Sequence, residues 1–121
     1  MKFMSIVMAT PEHYGQPTPE LMEAIGKLSE RETKAGRMVG GGGLTPIEEG
    51  ARVGVRKGQV VVQDGPFTET KEVIGGYAIF ELGSLDEALA LAREFMQLHV
   101  EHMPGWEGTC EVRAMTTGDC G

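Results

Sequence analysis

Apolar and polar positions change their period along the chain, and each change marks an element. In residues 2–9, Met4, Ile6 and Met8 alternate with Phe3, Ser5 and Val7, so both faces are largely apolar. That pattern predicts a strand covered on both sides. A polar loop runs from Thr10 to Pro17. Thr18-Pro19-Glu20 then reads as a helix start: a capping hydroxyl, a proline at the first helical position and an acid in the first turn. Leu21, Ile25 and Leu28 share one face, Ala35 continues it, and Gly36 is a natural stop.

Met38 and Val39 begin a second strand that runs into four glycines, Gly40 to Gly43. Residues 51–64 predict a hairpin: Val53 and Val55 alternate in one arm, Val60 to Val62 form the other, and Lys57-Gly58 turns between them. A loop over 65–75 precedes a strand over 76–82. Ser84-Leu85-Asp86-Glu87 is a capping box, and Leu85, Ala88, Leu89, Ala92, Phe95, Met96 and His99 keep helical spacing after it. That helix ends before Pro104-Gly105; a last strand is expected around Thr109 to Met115, with a frayed tail from about 116. The order β-α-β, hairpin, β-α-β predicts an α+β fold: a ferredoxin-like plait with an inserted β-hairpin, in one domain over 1–121.

Composition adds an assembly. The chain has only one Trp, two Tyr and four Phe, while several segments are apolar on both faces, which a small monomer does not easily cover. A homodimer is expected. The net charge of −7 argues against nucleic acid and anionic membrane surfaces, which need basic patches. No apolar run is long enough to span a bilayer, and the opening MKFMSIVMAT is cut short as a signal peptide by Pro11, Glu12 and His13. Two cysteines, Cys110 and Cys120, without a CxxC, fit reduced thiols in a cytoplasmic protein.

Asp64-Gly65-Pro66-Phe67, followed by Thr68-Glu69-Thr70-Lys71-Glu72, resembles the signature of the DGPF branch of the YCII-related family. Gly43-Leu44 before the valine-rich hairpin, Gly75-Gly76-Tyr77, Leu85-Asp86-Glu87-Ala88 and the stretch from Leu98-His99 to Gly108 extend the resemblance over nearly the whole chain. The resemblance implies a dimeric α+β barrel in which two plaits pack sheet to sheet. It also implies a possible His–Asp catalytic pair, whose aspartate maps onto Asp64, and an association of many such genes with extracytoplasmic-function sigma factors.

The candidate chemistry gathers in two places. Asp64 ends a strand and enters a turn, where functional residues collect on rigid scaffolds. The competing reading is that it organises that turn; two residues on stands Pro66, which has no N–H, so its backbone partner would be Phe67 or beyond. Glu69, Lys71 and Glu72 follow: a proton-transfer group if buried, a solvated loop if exposed. We expect catalysis from Asp64, Lys71 and His99, and binding by Phe67, Thr68, Glu69 and His13. His99 lies on the apolar face of its helix with His102 three residues on, so a core or cap role, acid–base work and a metal are all readable there; the spacing supplies only two ligands, and no metal site or cofactor is assigned. The four glycines lack P-loop residues and predict a bulge or close backbone packing. Trp106 is expected as an edge or interface anchor, and Arg113 as a partner for Glu81 or Glu111. The leading function is a small-molecule acid–base enzyme without a tightly held cofactor; the alternative is a non-catalytic ligand-binding or accessory dimer.

Overall fold

A computed structural model describes residues 1–13, 16–64 and 72–116. Its elements, in chain order, are β1 (Lys2–Ala9), a short 3-10 turn (Pro11–His13), α1 (Pro19–Lys34), β2 (Met38–Gly43), a second 3-10 turn (Ile47–Glu49), β3 (Ala51–Arg56), β4 (Gln59–Asp64), β5 (Val73–Glu81), α2 (Leu85–His102) and β6 (Thr109–Ala114). The expected order holds. The strand expected over 76–82 begins earlier, at Val73, because its first residues pair with Met8 and Ala9 at the end of β1.

Four strands form one sheet in the order β2-β5-β1-β6, and each neighbouring pair is antiparallel. The hairpin β3-β4 is a separate two-stranded sheet. The fold is therefore α+β, and no closed barrel is present among the described residues. A barrel needs a sheet whose two edges meet, and here β2 and β6 are free edges.

Register decides which side chains meet. Phe3 lies opposite Phe80 and Ala114, Ser5 opposite Ala78 and Val112, and Val7 opposite Gly76 and Cys110. These face the helices. Met4, Ile6 and Met8 take the other face with Ile79, Tyr77 and Ile74. The buried core is small: Phe3, Leu82 and Ala88, with Phe80, Leu91 and Val112 packed against them. Leu21, Ala9 and Val73 are buried nearby.

Both helix starts cap as the sequence predicts. The Thr18 hydroxyl accepts from the Leu21 N–H (3.1 Å) and donates to the His102 carbonyl (2.8 Å), so one side chain ties the start of α1 to the end of α2. The Ser84 hydroxyl accepts from the Glu87 N–H, while Glu87 reaches back to the N–H of Gly83. The glycine run is a bulged edge: the register shifts between Met38 and Gly40, and Gly41 takes φ +147°. A Cβ on Gly41 would sit 2.7 Å from the Tyr77 carbonyl oxygen, so β2 can approach β5 only without a side chain there.

Candidate functional site

The helices do not close fully onto the sheet. Between them lies a cavity of about 890 Å³. Its roof is Leu21, Ile25 and Leu28 of α1 with Leu91, Phe95 and His99 of α2; its floor includes Ser5, Val7, Ala78, Phe80 and Cys110. The lining is mainly apolar with a few polar groups, the usual make-up of a small-molecule site.

His99 is the most constrained polar group in the cavity. It is only 7% exposed. Its Nδ1 lies 3.1 Å from the Phe95 carbonyl oxygen. A carbonyl only accepts, so Nδ1 carries the proton and, in the neutral ring, Nε2 is a bare acceptor. No described group bonds Nε2. Among the described residues, no side-chain nitrogen sealed from solvent lacks a partner, so Nε2 is reached from the cavity. Burial pulls the imidazole below its ordinary value, against a smaller opposing effect of the Phe95 bond. The ring is therefore neutral at physiological pH, with Nε2 available as a hydrogen-bond acceptor.

Aromatic packing holds that ring in place. Phe95 meets it edge-on, with centroids 4.9 Å apart. Trp106 lies against it tilted by 34° at 4.5 Å. The chain reverses at Pro104-Gly105, where Gly105 takes φ +86°, and this returns Trp106 to the end of α2. Gly108 makes room for it: a Cβ there would collide with the indole and sit 2.7 Å from the Met8 carbonyl oxygen. Ser5 and Cys110 occupy the floor. Burial pushes the Cys110 thiol up, and a hydrogen bond from the Ser5 hydroxyl opposes this in part. The sulfur is therefore a protonated, weakly nucleophilic group at neutral pH.

Glu32 also reaches the cavity wall, but its carboxylate is fully engaged. It is 0% exposed. Oε1 accepts from Arg37 Nε (2.6 Å), and Oε2 accepts from Arg31 Nε (2.8 Å) and Arg37 Nη2 (2.9 Å). Arg31 in turn makes a two-pronged bond to Glu94 on α2 (2.7 and 2.8 Å). Arg37 above all, then Arg31, holds the Glu32 carboxyl down to about 2. This network clamps α1, α2 and the start of β2 together.

The predicted site residues divide. His99 and His13 both line the large cavity. His13 and Glu72 also line a smaller cleft of about 290 Å³ with Glu12 and Glu107. Asp64 is exposed at the end of β4, opposite Ala51, and does not line either space. Phe67, Thr68, Glu69 and Lys71 lie outside the described residues. His102 does not converge with His99: it stands 3.8 Å from Glu101, and its carbonyl is used by Thr18. Among the described residues, no three His, Cys, Asp or Glu side chains are grouped as metal ligands. Arg113 approaches Glu111 at 3.9 Å.

Sequence reasoning missed Ser5, the Glu32 clamp and the pairing of Trp106 with His99. Ser5 was legible as the polar member of an otherwise apolar strand face. Glu32 was legible as an acid flanked by Arg31 and Arg37. Nothing local signals that Trp106 folds back onto the helix.

Among the described residues, no helix is long and apolar enough to cross a membrane. The chain is similar to an uncharacterized protein of Rhizobium meliloti, with 34% identity over 95 residues that cover 78% of this chain and 73% of the relative. The model of the YCII-related domain matches residues 1–97, a span that includes Ser5, α1 and the part of α2 that carries Phe95. The chain belongs to the YCII-related domain family.

Proposed function

We propose that this chain is a homodimeric small-molecule enzyme without a tightly held cofactor, working in the cavity between sheet and helices with His99 as its acid–base group. One observation carries the reading: a buried, neutral histidine, fixed by Phe95 and Trp106, offers an unbonded Nε2 to a cavity of about 890 Å³. Asp64 enters only if a second copy brings it near, because within one subunit it stands apart from the cavity. The alternative is a non-catalytic binding protein. It is favoured by the fact that no described titratable side chain bonds Nε2.

The dimer rests on the hairpin and the open sheet face. Val53 lies opposite Val62 and Val55 opposite Val60, so one hairpin face carries four valines, 65–75% exposed. Met4, Ile6, Met8 and Ile79 add apolar surface on the uncovered side of the sheet. The strand order β2-β5-β1-β6, with both helices on one face, supports the ferredoxin-like plait, and such faces packing together would complete a dimeric α+β barrel. The free Cys110 supports a cytoplasmic location.

The test is to incubate the protein with a mixture of small metabolites and follow each by mass spectrometry. Catalytic loss of one component, abolished in His99→Gln, supports the enzyme. A component retained on the protein but recovered unchanged supports the binding reading instead. Light scattering in solution decides the dimer; a monomer at micromolar concentration sinks it.

A further inference from the structure

We infer that the cavity accepts an uncharged, apolar-bodied molecule that presents one hydroxyl or N–H donor to His99 Nε2, and that it rejects anions. This rests on reading the cavity as the functional site. The walls supply the first half of the argument. No lysine or arginine is among the described lining residues. The guanidinium groups that hold the lining residue Glu32 are committed, Arg37 to Glu32 and Arg31 to Glu32 and Glu94. Glu32 is neutralised by that clamp, and Glu48 adds a negative charge to the rim. A carboxylate or phosphate entering here would shed its water and meet no lysine or arginine among the described lining residues, only the imidazoles of His13 and His99, which is unfavourable.

The donor follows from the histidine. Its Nδ1 proton is held by the Phe95 carbonyl, so Nε2 can only accept. Turning the ring to offer Nδ1 instead would break its bond to the Phe95 carbonyl and disturb its packing against Phe95 and Trp106. The ligand must therefore bring the proton. Its body meets Leu21, Ile25, Leu28, Leu91 and Phe95, which reward apolar surface and nothing charged.

Trp106 is the chain's one tryptophan and packs on His99, so its fluorescence reports occupancy directly. The probes are para-tert-butylphenol, para-tert-butylanisole and para-tert-butylbenzoate: one body with a donor, without a donor, and as an anion. The phenol is expected to change Trp106 emission saturably and to bind about tenfold or more tighter than either of the others. In His99→Phe, which keeps a ring in the stack but removes the acceptor, phenol and anisole are expected to become equal. Benzoate binding as tightly as the phenol overturns the neutral-ligand inference while leaving the cavity as a site. Anisole binding as tightly as the phenol overturns the donor. No emission change with any probe overturns the cavity reading itself. The three probes on the unaltered protein decide the matter even where His99→Phe does not fold.

Discussion

The helix-covered face of the sheet and the β3-β4 hairpin are both rich in β-branched and apolar residues, yet their surroundings are opposite. Phe3, Leu82 and Ala88 are almost sealed from water. Val53, Val55, Val60 and Val62 stand out in it. The difference is one of neighbours. The sheet face has two amphipathic helices laid across it, joined by the Thr18–His102 bond and by the Glu32 clamp. Among the described residues the hairpin pairs only its own two strands, and an isolated hairpin is marginal in water. The first region is complete within one chain apart from its cavity. The second leaves four valines of one face exposed.

That contrast can be broken from either side. The largest effect is expected in the core: Phe3→Ala should cost about 3–5 kcal/mol in denaturant unfolding, since it leaves a void among Leu82, Ala88 and Val112. Next comes the hairpin. Val53→Asp with Val62→Asp puts two like charges at one cross-strand pair. If a second copy covers that face, dimer affinity should fall roughly a hundredfold or more by light scattering, at about 1.5–3 kcal/mol per buried valine, while circular dichroism stays unchanged. Retention of the dimer would mean that the face is not the interface.

A smaller effect tests the clamp. Glu32 is held well below its unfolded value, so its contribution is fully present above the ordinary carboxylate range. It is lost as pH falls from about 4.5 towards about 2. Glu32→Gln should lower stability by about 1–3 kcal/mol at neutral pH and flatten that acid dependence in thermal melts. His99 has the same sign for a different reason. Its folded value is lowered, so the unfolded chain binds more protons, and stability falls as pH drops below about 6.5. His99→Phe should remove that component of the titration. The smallest effect is at the hairpin's end: Asp64→Asn is expected to change stability by no more than about 0.5 kcal/mol, because the group is exposed. A larger loss would mean that Asp64 organises the adjoining turn.

Much of this was readable in the sequence, and particular residues show why. Thr18-Pro19-Glu20 and Ser84 through Glu87 specify helix starts through hydrogen bonds within a few residues, so their reading needs no tertiary knowledge. The alternation of Val53 and Val55 and the Lys57-Gly58 turn, with φ of 52° and 77°, are equally local. His99 as a buried candidate followed from its place on the apolar face of α2. The catalytic weight placed on Asp64 rested on a motif at a strand end, and strand ends do not announce which way they point in space.

The sequence by itself determined the elements, their order and the family, because capping, periodicity and turn chemistry act over a few residues. The tertiary structure alone decided that Trp106 returns to stack on His99 and that Glu32 sits between Arg31 and Arg37. It also placed Ser5, Cys110 and His99 around one cavity and left Asp64 outside it. The cavity joins residues far apart in the chain and depends on strand register and on how closely the helices approach the sheet, whereas Trp106 and Glu32 meet partners a few residues away through a chain reversal and side-chain directions that composition does not specify.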